Sequence, residues 1–256
     1  MKYNKVHFAI DKTLKASIAK KRILKKYKNY YPKKSDVIVV IGGDGFMLET
    51  LKRYQKYNKP FYGLNRGSFG FLMNKFRTKK LYKTISNAKQ ILITALEMTA
   101  AIKNNKKKKL IAINEVSLLR QTKQTASLQI IKNNKIIIKK LLCDGFLIST
   151  SAGSTAYNYS AGGPILALNS KQLAITPISP FRPRRLKAKI VNASSVIKIK
   201  NLNIKKRPIS AVADNKEIRN IKNIKVKINK KNKFKLLYDR TNSLSKKIKL
   251  EKLRDK

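Results

Sequence analysis

Along the first third of the chain the apolar positions change period several times. KVHFAI reads as a short strand, and Asp11 is the candidate cap of a helix running to about Tyr27 with Ala16, Ala19, Ile23 and Tyr27 on one side. DVIVVIGGDG then carries an unbroken apolar run from Val37 to Ile41, the signature of a strand covered on both faces in a parallel sheet. FMLETLKRYQKY returns to helical spacing through Met47, Leu51 and Tyr54, and PFYGLN reads as the next strand, completing a βαβ unit.

From about Glu97 onward the period becomes two. LIAINEVSLLR, TASLQIIKNNKIIIKKLLCDG, SVIKIKNLNI and IKVKINKKNKFKLL read as strands, with Asn133-Asn134 and Lys231-Asn232 as turn candidates. TPISPFRPRR, residues 176–185, predicts an irregular loop, because proline removes ladder donors. Leu244, Ile248 and Leu250 predict a short terminal helix that returns to the first domain. The expected fold is therefore an α/β N-terminal domain with a parallel sheet, over 1–95 and rejoined by 236–256, plus a mainly β C-terminal domain over 96–235.

Composition narrows the chemistry. A chain of 256 residues with 42% hydrophobic positions can bury a real core, so wholesale disorder is excluded. A single cysteine, Cys143, forbids an intrachain disulfide, and a single histidine, His7, leaves little room for a His-rich metal site or a Ser-His-Asp triad. The run Val37 to Ile41 is far short of the ~20 apolar residues of a membrane helix, and MKYNKVHFAIDK lacks a signal-peptide core. A cytoplasmic protein without a membrane partner is expected. The charge, 61 − 12 = +49, invites a nucleic-acid reading. Lysine is nevertheless spread along the chain among Asn and Ile, as A- and T-rich codons would leave it, and no RNP pattern or zinc finger occurs, so no specific nucleic-acid partner is expected. The twelve acidic residues are more informative: Asp44, Glu49, Glu115, Asp144 and Asp214 fall in or beside motif-like stretches.

Four stretches carry candidate chemistry. In VIVVIGGDGFMLET, Gly42, Gly43 and Gly45 follow a buried strand and open a helix, which makes a phosphate cradle; Asp44 is the anomaly, a carboxylate that either caps the helix or meets a hydroxyl or metal. PFYGLNRGSFGFL supplies a second glycine loop at the end of the neighbouring strand, so both loops are expected in one crevice beyond the strands' carboxyl ends. Asn114 and Glu115 interrupt INEVSLL with an amide and a carboxylate suited to ribose hydroxyls or an adenine amine. CDGFLISTSAGSTAYNYSAGGP, residues 143–164, surrounds Tyr157 with small residues that let a flat ring approach. Cys143 reads as a small buried hydrophobe.

In this order GGDG, GxNxGxxGFL, NE and DGxxxxTxxGSTAYxxSAGGP resemble the NAD kinase family, from about Asp36 to Pro180. The resemblance implies transfer of the γ-phosphoryl group of ATP, with a divalent metal ion (Mg²⁺), to the 2′-hydroxyl of the adenosine ribose of NAD. It implies Asp44 as general base, Gly42, Gly43, Gly45 and Asn65 around the donor phosphates, and Asp44, Gly45, Asn114, Glu115, Asp144, Ala152, Thr155, Ala156, Tyr157 and Ser160 around NAD. Polyphosphate as an alternative donor and a homodimer or homotetramer are further implications. The chain departs from the family's TPTGSTAY at Ser151 and Ala152, which removes a proline, from TPISPH at Phe181, and from a common Asp-Gly at Asp214-Asn215. Two other readings remain at this point: a GGDG kinase with a lipid or sugar acceptor, and a non-enzymatic polyanion or RNA binder.

Overall fold

The computed structural model describes residues 2–68, 70–102 and 106–240. The terminal helix expected from Leu244, Ile248 and Leu250 lies outside the described residues. Two compact units form: Met1–Ile93 with Lys233–Lys256, and Thr94–Asn232.

In the first unit β1 (Val6–Ile10), β2 (Val37–Gly42) and β3 (Phe61–Asn65) pair in parallel in that order. The end of the chain's last strand joins them, Leu236 and Leu237 pairing in parallel with Phe61 and Tyr62. All six residues of β2 are buried, which is why its sequence is a continuous apolar run. Helix α1 (Leu14–Leu24) buries Ala16, Ala19 and Ile23 in a core with Val37, Val39, Ile41 and Tyr62. Its cap is Thr13, whose hydroxyl accepts from the Ala16 N–H at 3.4 Å; Asp11, the expected cap, instead accepts from its neighbour Lys12 at 2.7 Å. The helix also stops at Leu24, short of the expected Tyr27, whose hydroxyl donates to the Thr78 carbonyl. Helix α2 (Asp44–Tyr54) buries Met47, Thr50 and Leu51, and α3 (Leu81–Asn87) buries Leu81 and Ile85.

The parallel pairing sets the carboxyl ends of the three strands side by side. There the Asp11 N–H donates to the Ile41 carbonyl at 3.0 Å and the Arg66 N–H to the Gly42 carbonyl at 2.7 Å. The last strand is fixed by a buried carboxylate: Asp239 accepts from the Tyr62 hydroxyl at 2.6 Å and from Arg77 at 2.8 Å.

The second unit is built from β4 (Lys89–Ile102), β5 (Lys107–Ala112), β6 (Glu115–Arg120), β7 (Ala126–Lys132), β8 (Lys135–Cys143), β9 (Gly145–Ser149), α4 (Tyr157–Ser160), β10 (Gln172–Ile178), β11 (Lys189–Asn192), β12 (Ile197–Asn201), β13 (Ile209–Ala213), β14 (Lys216–Ile218) and β15 (Ile221–Tyr238). One sheet has the order β5-β4-β15-β12-β7-β8 and the other β11-β10-β9-β6-β13-β14. Their inward residues, among them Met98, Leu128, Ile199 and Ile224 from one and Leu118, Phe146, Ile175 and Ala211 from the other, share one core.

Three expectations are corrected here. LIAINEVSLLR is two strands in different sheets, β5 and β6, and the chain crosses between them at Ile113 and Asn114. Pro177 lies inside β10 opposite Phe146 rather than in a loop; β11 pairs with β10 only as far as Ile175, so the side of Pro177 without an N–H meets no neighbouring strand. Lys231-Asn232 is no turn, since β15 runs through it while the Asn229 side chain accepts from both backbone N–H groups at 2.9 and 3.0 Å.

Candidate active site

The first cluster belongs to the first unit. Gly42 ends β2, Gly43 is the N-cap of α2, and Asp44 and Gly45 open its first turn. Capping is not what Asp44 does: α2 has no side-chain cap, and the carboxylate accepts instead from the Phe71 N–H at 2.8 Å on one oxygen and the Leu72 N–H at 2.9 Å on the other. A carboxylate gripped through both oxygens is fixed in direction. A Cβ on Gly43 would come within 3.5 Å of the Gly67 Cα, so the two glycine loops touch. A Cβ on Gly45 would meet nothing within 4 Å, which leaves open space beside the carboxylate. Asn65 directs its side-chain oxygen to the Gly67 N–H at 3.0 Å and packs against Gly70, so it shapes the second loop.

Of two residues that the motifs do not contain, Tyr238 supports Asp44. The buried Tyr238 hydroxyl donates to the Phe71 carbonyl at 3.2 Å, behind the amide that holds the carboxylate, and burial together with the Asp44 charge keeps this phenol protonated. Met73 fills the space over Gly63, where a Cβ would lie 2.5 Å from its sulfur. Neither a tyrosine in a terminal strand nor a methionine gap-filler has a local sequence signal.

The second cluster belongs to the second unit, at the crossing from β5 to β6. Asn114 Oδ1 and Glu115 Oε2 are both buried and have no hydrogen-bond partner. Buried acceptors left open in this way are costly unless something binds there. Burial, and secondarily the Asp214 charge, push the Glu115 carboxyl up to about 8. The loop after β9 is packed directly on this pair: a Cβ on Gly153 would sit 2.3 Å from the Asn114 carbonyl oxygen, so only glycine fits. Thr150 donates through its hydroxyl to the Ile113 carbonyl at 2.7 Å and through its N–H to the Asn114 carbonyl at 2.9 Å.

Hydroxyls also brace the loop where the proline is missing. Ser151 meets Ser170 at 2.9 Å, Thr150 Oγ1 accepts from the Gly153 N–H at 3.1 Å, and Ser154 donates to the Ser151 carbonyl at 2.9 Å. Asn158, which the sequence reading missed, is fully buried and accepts from Thr176 at 2.7 Å while donating to the Ser154 and Pro164 carbonyls. Of the expected contact residues on this loop, Ala152 is buried, Thr155 and Ala156 are half-buried, and Tyr157 and Ser160 on α4 are exposed. The Tyr157 hydroxyl is pushed up by partial burial and then by the charges of Glu115 and Asp144. Asp144 pairs with Arg120 at 2.5 Å. Cys143 is buried and its thiol is pushed up to about 12, mainly by burial, which suits a packing role.

The first unit thus holds a glycine turn with an oriented carboxylate, and the second a cluster of open buried acceptors. Comparison with known proteins identifies the family. Residues 3–99 match the model of the ATP-NAD kinase N-terminal domain and residues 113–238 that of the ATP-NAD kinase C-terminal domain. An NAD kinase of Zymomonas mobilis is 43% identical over 256 residues, covering 99% of each chain, and one of Rickettsia typhi is 42% identical over 97% of each. The crystal structure of an Archaeoglobus fulgidus NAD kinase in complex with ATP has the same fold, with a TM-score of 0.72 at 23% identity over 96% of this chain and 97% of that one. A yeast NADH kinase complexed with NADH superposes with a TM-score of 0.74 at 24% identity over 87% of this chain and 68% of that one. The chain belongs to the NAD kinase family.

Proposed function

We propose that this enzyme transfers the γ-phosphoryl group of ATP to the 2′-hydroxyl of the adenosine ribose of NAD, with Asp44 as general base. The observation that carries the reading is the full-length family match, in which both halves of the chain are covered and all four motifs stand in order. Neither a lipid- or sugar-directed GGDG kinase nor a non-enzymatic polyanion binder accounts for a match to both halves.

In this reading residues 1–95, rejoined by 236–256, form the phosphate and nucleotide domain, and 96–235 the NAD-binding domain. The backbone of Gly42, Gly43 and Gly45 and the Asn65 loop receive the donor phosphates at the start of α2. Asn114 and Glu115 supply acceptors for the dinucleotide, and Asp144, Ala152, Thr155, Ala156, Tyr157 and Ser160 line it. Asp44 orients the ribose hydroxyl and takes its proton as the O–P bond forms. Phosphoryl transfer passes through a loose transition state, so alignment and neutralisation of phosphate charge outweigh raw basicity. Among the described residues no three His, Cys, Asp or Glu side chains gather to hold a metal. Mg²⁺ would enter with the ATP substrate and would supply neutralisation of the phosphate charge. We further assign the enzyme to the cytoplasm as a homodimer or homotetramer; the single buried cysteine is consistent with a reducing compartment, and no described helix is long and apolar enough to cross a membrane.

The test is NADP formation from NAD with Mg²⁺ and either ATP or polyphosphate. Asp44→Asn is expected to bind NAD yet lose about 2 to 4 orders of magnitude in kcat, the range of a removed general base. Near-normal turnover by that variant would exclude Asp44 as the base.

A further inference from the structure

The crossing between the two sheets of the second unit poses a hydrogen-bonding problem. Where the chain leaves β5 and enters β6, the N–H groups of Ile113 and Asn114 have no ladder partner, and buried amides are almost never left unpaired. One side chain meets the need. The Asp214 carboxylate accepts from the Ile113 N–H at 2.8 Å, the Asn114 N–H at 2.8 Å and the Glu115 N–H at 3.3 Å, and its own N–H donates to the Glu115 carbonyl at 3.1 Å. Asp214 sits at the turn between β13 and β14 with φ of 53°, a conformation Asp tolerates better than most residues. Thr150 takes the carbonyls of Ile113 and Asn114 from the other side. With the backbone satisfied on both sides, the acceptors left open are Asn114 Oδ1 and Glu115 Oε2.

We propose that Asp214 is the positioning residue of the Asn114–Glu115 pair, clamping the crossing so that both open acceptors face the donor groups of the dinucleotide. This rests on NAD being the substrate. The amide-to-carboxylate geometry explains why an acid stands at a turn where asparagine or glycine would fit the backbone equally well. It also gives Asp214 an electrical role. The ionisable groups that face Glu115 are Asp214 from the β13–β14 turn and Tyr157 from α4, while its ladder partner Ser149 is neutral. Asp214 thus adds to the burial that keeps Glu115 protonated at neutral pH, able to donate as well as accept.

Steady-state kinetics of the full chain separate these roles. Asp214→Ala is expected to raise the KM for NAD about tenfold or more while the KM for ATP stays within about threefold, as loss of charge-assisted bonds to one substrate's site predicts. Asp214→Asn keeps the shape and removes the charge, so the pH midpoint of the NAD KM profile should move down by about half a unit or more. That shift should vanish when Glu115→Gln is already present. An unmoved pH profile in folded Asp214→Asn, or KM values for NAD and ATP that rise together, would overturn the proposal and leave Asp214 a plain turn residue. Should Asp214→Ala fail to fold, the Asp214→Asn and Glu115→Gln pair decides alone. Failure of the unmodified protein to make NADP would refute the substrate assignment instead, a result the variants cannot mimic.

Discussion

Glu115 is the residue whose charge state the fold perturbs most visibly at the site. Its carboxyl is raised from an ordinary 4.5 to about 8, chiefly by burial. Below pH 4.5 folded and unfolded chains both hold this proton, so the residue is neutral to stability. Between pH 4.5 and 8 the unfolded chain releases the proton and the folded chain retains it, so the substrate-free protein loses stability as pH rises, and the loss is complete above about 8. Glu115→Gln should therefore match the parent near pH 4 and exceed it by about 2 to 4 kcal/mol at pH 8 to 9. Urea unfolding across that range is the measurement; a difference independent of pH would show that the carboxyl is not strained by its site. The same variant should bind NAD more weakly, which makes Glu115 a residue whose stability cost is explained only by function.

At the level of elements, the sequence was most legible where a local rule acted alone. Asn133 and Asn134 both take positive φ, 48° and 66°, as a two-residue hairpin turn demands, and the sequence marked that turn directly. The buried run of β2 and the opening of α2 at the glycines were equally plain. Legibility failed where another contact overrode the local signal: the nearby Asn229 side chain absorbs the turn-like Lys231-Asn232, and the end of the β11 pairing at Ile175 frees a strand position for Pro177. The motifs named the site residues, but not all that holds them, because Tyr238 and Asp239 lie far along the chain from the groups they serve. Tyr238 makes this testable. Tyr238→Phe leaves the Phe71 carbonyl without that donor, at a cost of about 1 kcal/mol in stability. Because the Phe71 N–H holds Asp44, kcat is expected to fall by about 3- to 10-fold with the KM for NAD unchanged, the effect of a slightly misplaced base. Unaltered kcat in a variant that melts lower would reduce the tyrosine to a packing residue.

Among the described residues, three of the few acids fasten backbone N–H groups, while Asp144 and Asp239 pair with arginines. Asp36 takes the N–H groups of Asn4 and Lys5, Asp44 those of Phe71 and Leu72, and Asp214 three more at the sheet crossing. A basic surface therefore goes largely unbalanced by this small set of carboxylates. In the second unit a cavity of about 660 Å³ is lined by Lys107, Lys109, Lys198, Lys200, Lys225 and Lys227, with Glu97 as its acidic wall residue, and Lys198 stands directly opposite Lys225 across two strands. Like charges in that relation repel. At +49 the folded state carries self-repulsion that the expanded chain relieves, and exposed charges more than a Debye length apart are screened by added salt. The nucleotide-free protein is thus expected to melt higher in 0.5 M than in 0.02 M sodium chloride, by about 3 to 10 °C, the shift that roughly 1 to 3 kcal/mol gives a chain of this size. Thermal melts at pH 7 in chloride, which offers no phosphate to the substrate site, isolate this screening from ligand binding. A melting temperature that is flat or falls with salt would mean that the lysines are already balanced, and that the charge excess is no burden on the fold.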